Sequence, residues 1–277
     1  SRGLGDVYKR QVLLSSLLLC SMLVGCFGSD DLDQKELIDL VVHYDATNGT
    51  IQQSFIGGSQ ISFSGVTFSF DFARTTSDYG LKTFTLDPGD GRSIISIDAS
   101  ESANIDVEYQ IHGMYAVILA ATDINDNTAN MTVVLRVEHS IEWSEANSAD
   151  PDTMEINTTP GNEDFNPKQV VIESVVENPS IFGTPGSPVT VTWELTDPES
   201  NSKGSNTEQI ADGQSGMWDF DLNFPDQGVH DLTVTIDQGT DRVNINHIID
   251  ILYEQGESVP NPYQQDNESE EENSESE

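Results

Sequence analysis

The sequence predicts an all-β protein, two sandwich-type domains in tandem behind an N-terminal export signal and ahead of an acidic tail. Three observations carry that prediction. Apolar residues recur at every second position in several runs bounded by turn formers. No 3.6-residue periodicity stands out beyond the signal. Two blocks of the chain also share one order of turn, glycine and alternating strand, as an internal repeat would.

The first element is an address. Residues 1–11, SRGLGDVYKRQ, begin without Met and read as sequence foreign to the gene. The run VLLSSLLLCSMLVGC, Val12 to Cys26, follows Lys9 and Arg10. A basic flank, a short apolar core and small residues before a break describe a secretory signal peptide over residues 1–25. The apolar stretch is shorter than the roughly 20 residues that a membrane-spanning helix needs. Its end, Leu23-Val24-Gly25-Cys26, resembles the lipobox of prokaryotic lipoproteins. That resemblance implies cleavage before Cys26, a lipid on its sulfur, and an exported protein anchored to the membrane of a prokaryotic cell envelope. One acyl chain binds membranes only marginally, so stable anchoring takes more than one.

Residues 26–36 are polar and are expected to form a tether. The first β block is expected over residues 37–138. In VTFSFDF, Val66, Phe68, Phe70 and Phe72 share one face, while Thr67, Ser69 and Asp71 share the other. YAVILAATD and MTVVLRVE are further β-branched runs, separated by a cluster of turn formers from Asp123 to Asn130. Residues 139–166 are acidic and rich in Pro, Asn, Ser and Thr, and are read mainly as a linker, with Ile141 and Trp143 packing on a domain edge.

The second block is expected over 167–255. VTVTWEL sets Val189, Val191, Trp193 and Leu195 on one face. Leu232, Val234 and Ile236, then Val243, Ile245, Ile249 and Ile251, are expected to form a hairpin turning at Gln238-Gly239-Thr240. Residues 256–277 hold almost nothing apolar, cannot offset their ordering entropy by burial, and are expected to be a disordered acidic tail.

The two blocks correspond at Tyr109 and Gly113 against Phe224 and Gly228, and at Phe84 against Trp193. Leu86-Asp87-Pro88-Gly89-Asp90-Gly91, Tyr109, Gly113, Tyr115 and Thr122-Asp123 resemble the motifs of PKD domains, an immunoglobulin-like β-sandwich family. The departures are Phe84 where that family has Trp, and Pro88-Gly89 inside the GDG segment. The resemblance implies extracellular modules that space or bind proteins and glycans, with no catalytic residues. The second block lacks the GDG turn and is expected to be an immunoglobulin-like sandwich.

Charge and motifs bound the function. The formal net charge is −37, from 11 Lys+Arg against 48 Asp+Glu. Nucleic acid is excluded as a partner, because its affinity comes from basic side chains neutralising phosphates. Cations and basic surfaces are attracted instead. Cys20 and Cys26 leave the body of the protein without a disulfide or a thiol site. The five histidines show no H-E-x-x-H spacing, and neither a G-x-S-x-G elbow nor a P-loop occurs. No enzyme is expected. Asp123-Ile124-Asn125-Asp126-Asn127 spells a string that cadherins use for calcium, a hard cation taking six to eight oxygens. Asp87, Asp90, Asp123, Asn125 and Asp126 are the candidate ligands, and calcium is the one cofactor considered. The competing reading is a tight turn, since Asn and Asp tolerate left-handed backbone and make Asx turns. The expected role is non-catalytic binding of envelope proteins or glycans, or spacing. A calcium-dependent adhesin and an accessory subunit of a surface hydrolase or transporter are the alternatives.

Overall fold

The computed structural model describes residues 37–162, 165–180 and 186–263. Residues 1–36, read above as signal peptide and tether with Cys26, and residues 264–277 of the expected tail lie outside them. All regular structure among the described residues is strand. Both sandwiches belong to one compact unit that begins at Leu37.

The chain opens with β1 (Ile38–Asp39), β2 (Asn48–Ile56), β3 (Ser59–Ser64), β4 (Val66–Asp71) and β5 (Thr76–Ser77). It continues through β6 (Leu81–Asp87), β7 (Ile95–Asp98), β8 (Asn104–Tyr109), β9 (Gly113–Asp123) and β10 (Thr128–Ser148). In the first sandwich, β2, β10, β9, β6 and β7 line up in one sheet against the β4–β8 pair. Alternation sets the faces, because successive side chains leave a strand on opposite sides. Phe68, Phe70 and Phe72 are therefore buried with Phe84, Leu86, Val117, Leu119 and Leu135 in one core. The Tyr115 hydroxyl donates 2.6 Å to the Ile111 carbonyl. This is the tyrosine corner that pins the start of a strand in immunoglobulin-like sandwiches.

The second sandwich adds β11 (Met154–Asn157), β12 (Gln169–Asn178), β13 (Val189–Thr196) and β14 (Ser202–Ile210). Then follow β15 (Gln214–Asn223), β16 (Val229–Gln238) and β17 (Val243–Leu252). One layer is β10–β17–β12–β15, the other β11–β16–β13–β14. Val189, Val191, Trp193 and Leu195 face inward as their alternation requires, into a core shared with Ile172, Leu232, Ile245 and Ile249.

The two sandwiches are joined by one long strand. Residues 128–137 of β10 pair with β9, and residues 139–148 pair with β17. β2 runs parallel to β10 from Arg136 to Ser144, across the boundary between the two cores. A single sheet of nine strands therefore runs through both sandwiches.

Four expectations need correction. Residues 139–148 and 154–157 are strands, not linker, and Ile141 and Trp143 sit inside the second core rather than on an edge. Their polar neighbours belong to the solvent faces of those strands, so acidic composition concealed the alternation. β16 and β17 do not form a hairpin: β16 pairs with β11 and β13, while β17 pairs with β10 and β12. Gly239, at φ +106, lets the chain arch from one layer to the other. Phe224 is not the counterpart of buried Tyr109, since it is 76% exposed in a left-handed turn. Residues 256–263, placed in the disordered tail, dock on the first sandwich instead. Ser258 exchanges hydrogen bonds with Val134, and Asn261 with Tyr44. Arg136 holds Glu257 through two nitrogens, at 2.9 and 3.0 Å.

Candidate functional site

The turn between β6 and β7 begins the site. Gly89 and Gly91 both have positive φ, at +72° and +79°. A side chain at Gly89 would strike the Ala116 carbonyl, so the Pro-Gly-Asp-Gly sequence makes a turn that an L-residue at Gly89 would strain. Asp87 accepts the Gly89 amide at 3.0 Å. Asp90 accepts the Arg92 backbone amide at 3.1 Å and its Nε at 2.6 Å. The Arg92 guanidinium then lies 5.3 Å from the centre of the Tyr109 ring, which stacks on Tyr115 at 4.2 Å.

Beside this turn opens a cleft of about 490 Å³. Asp90 and Arg92 form one wall, and Glu108, Gln110 and Ile111 at the end of β8 form another. Phe63 of β3 and Gly161 of the second sandwich's loop complete it. Gly161 is required there because a Cβ would collide with the Tyr115 hydroxyl. The Tyr109 hydroxyl is committed to the Pro88 carbonyl at 2.7 Å. Burial, and then the Asp90 charge, push both phenols above their ordinary range. They stay protonated and serve as apolar floor rather than as acids. The cleft thus offers a fork-shaped cation, two carboxylates and an amide around an aromatic base.

No histidine lines the cleft. His112 is buried at the contact between the sandwiches, where Nε2 lies 3.0 Å from the Asn157 carbonyl and Nδ1 lies 2.7 Å from the Tyr253 hydroxyl. A carbonyl only accepts, so Nε2 carries the proton and Nδ1 accepts from Tyr253. Burial lowers its pKa and keeps it neutral. His247 meets the Ser174 hydroxyl at 2.8 Å, and the Trp193 indole donates to that same oxygen at 2.7 Å.

The five calcium candidates do not come together. Leu81 pairs with Asp123 and Asp87 with Ile118, so Asp87 and Asp90 lie at the opposite end of β6 from the Asp123 turn. Seven residues of strand separate them by about 20 Å. Asp123 is enclosed, and its carboxylate accepts from the Asn125 and Asn127 amides, the Asn127 side chain and Ser77. These bonds hold it below the usual carboxylate range against the opposing effect of burial. Asp126, at φ +62, pairs with Lys82 at 2.7 Å. The same turn recurs between β13 and β14. There Asp197 accepts from Glu199 and Asn201, and Ser200 takes φ +64. The Asp-x-x-x-Asn frame forms with Pro-Glu-Ser inside it, so the turn needs no cadherin-like spelling. Among the described residues, no group of three or more His, Cys, Asp or Glu converges as metal ligands would.

Arg92, Glu108, Gln110, Ile111 and Phe63 were not singled out by their sequence. Only Arg92 carried a signal, as one of 11 basic residues, placed directly after the GDG turn.

No family model matches the chain, and no curated protein does. Solved structures align with the chain at low identity and low TM-score. A carbohydrate-binding module of the β-sandwich superfamily aligns at 10% identity and a TM-score of 0.31, over 79% of this chain and 98% of its own. The fibronectin(III)-like modules of Clostridium thermocellum CbhA align at 12% identity and a TM-score of 0.25, over 74% and 91%. The β-glucuronidase of Bacteroides uniformis aligns at 10% and 0.24, over 76% of this chain but 30% of its own.

Proposed function

We propose that the protein is a non-catalytic binding protein of the cell envelope, lipid-anchored at Cys26, and that the cleft beside the β6–β7 turn takes a neutral polar ligand such as an oligosaccharide. The observation that carries this reading is the lining of the cleft. Planar guanidinium, carboxylate and amide groups match vicinal hydroxyls in pairs, and a mostly apolar floor with few convergent polar groups suits a small ligand. Asp90 balances Arg92 instead of forming an acid–base pair with Glu108, because it is already bound to the guanidinium. The PKD-like motifs around the same turn favour an extracellular module.

Overlay of the full chain on an oligosaccharide array tests this. Binding is expected for at least one neutral glycan, weakened tenfold or more by Arg92→Ala and by Glu108→Gln. Failure of every glycan to bind, or binding indifferent to both substitutions, would refute the cleft. The anchor is tested separately: Cys26→Ser is expected to release the protein from pelleted membranes, and unchanged pelleting would refute it.

A further inference from the structure

We infer that the exposed edge of β3 is a self-association surface, at which a second copy of this chain adds antiparallel and continues the nine-stranded sheet. Among the described residues β3 pairs only with β2, and all six of its residues are exposed. An open edge presents unpaired amides and carbonyls and invites another strand, which folded proteins ordinarily prevent with charge, proline, a β-bulge or cover. Neither charge nor proline protects this edge, and its one bulge, at Ile61, interrupts the register without ending the strand. From Ala46 to Phe70 the chain has 25 residues without one charge, in a protein of which 21% of residues are charged.

The absence of charge selects the partner. A chain of net charge −37 repels its own copies wherever carboxylates are dense, so two copies approach most easily along a strand that carries none. A basic partner would find no carboxylate on β2 or β3 themselves, the neighbouring ones being Glu142 in the groove behind Ile61 and Asp90 and Glu108 in the cleft beside Phe63. The strand also suits itself. Register shifts beside Ile61, so Ile61 joins one face of the sheet, with exposed Ile56 and Ile248 in a shallow groove of about 300 Å³. Phe63 points to the other face, at the rim of the ligand cleft. Antiparallel addition about a two-fold axis normal to the sheet keeps each face on its own side. The Ile61 side chains of both copies then share one face and the Phe63 side chains the other, joining two apolar strips into one. With the axis at Ser62, one of the two middle residues of the strand, that side chain meets its own equivalent, a small polar pair that strands accommodate well.

Sedimentation of the full chain over a range of sodium chloride tests the inference. A monomer–dimer equilibrium is expected that strengthens with salt, because screening removes the repulsion between the copies while leaving strand pairing intact. Ile61→Lys and Phe63→Lys are expected to weaken the dimer tenfold or more with the melting temperature unchanged, since both side chains are solvent-exposed. Ile118→Lys, at an exposed isoleucine on β9, is the control and should leave the dimer intact. A monomer at every salt and protein concentration would overturn the proposal. So would a dimer indifferent to Ile61→Lys and Phe63→Lys, or one weakened as much by the control.

Discussion

At the scale of single residues, polar side chains inside the two cores mostly find local partners, the Trp143 indole nitrogen being an exception among the described residues. Ser174 is the clearest case: one hydroxyl serves the Trp193 indole and the His247 ring, all three buried in the second core. Ser174→Ala leaves both ring nitrogens without their partner, and is expected to cost about 1–3 kcal/mol, the penalty for burying unsatisfied polar groups. Chemical denaturation measures it directly. The histidines also set a pH dependence. Burial lowers His139 and His247 from the ordinary 6.5 to about 4, His139 being lowered further by its neighbour His112. Both are neutral in the folded state, and the unfolded chain binds more protons between those values. Their contribution to stability is therefore complete above pH 6.5 and is lost as pH falls toward 4. Melting curves at high salt, where self-repulsion of the carboxylates is screened, should show the decline. A flat profile from pH 7 to pH 4 would contradict the assignment.

Elements add what residues alone do not show. The β9–β10 and β13–β14 turns are one device made twice: an aspartate accepting two amides and an asparagine side chain, with a left-handed residue before the asparagine. The Asp123 carboxylate already has four donors, so a calcium ion would have to displace them to bind. Melting temperatures in millimolar calcium and in chelator are expected to coincide, and a rise with calcium would show that the turn opens to admit the ion. β10 teaches the opposite lesson about composition. Its second half reads as acidic and polar, yet Ile141 and Trp143 alternate into the core while Glu142 and Ser144 face the shallow groove. Period-2 spacing outweighs average polarity whenever one face of a strand is covered.

At the scale of the molecule, the two sandwiches are coupled and not strung on a linker. β10 is continuous through both, β2 lies along the crossing, and residues 256–263 return from the second sandwich to the first. Arg136 anchors that return, bound to Glu257 at 2.9 Å and to Glu138 at 2.5 Å. The guanidinium holds the Glu257 carboxyl down to about 2. Arg136→Ala is expected to release the strap, so that limited proteolysis cuts between residues 254 and 263 while both cores stay folded. Equal protease resistance of the variant and the parent would show that the backbone bonds of Ser258 and Asn261 suffice alone.

Strand content, inward faces such as Val189-Val191-Trp193-Leu195, and the turn at Asp123 could be read directly from the residues. Each depends on neighbours within a few positions, where period and turn chemistry act. The continuity of β10, the arch at Gly239, the docked strap and the cleft could not be read that way. They depend on partners far apart in the chain: Arg136 and Glu257 stand 121 residues apart, and Val42 and Asn261 stand 219 apart. Such contacts leave no periodic trace, because each side satisfies its local pattern equally well without the other. Only the folded chain brings Phe63, Arg92, Glu108 and Gly161 to one cleft, and leaves β3 as an uncharged edge.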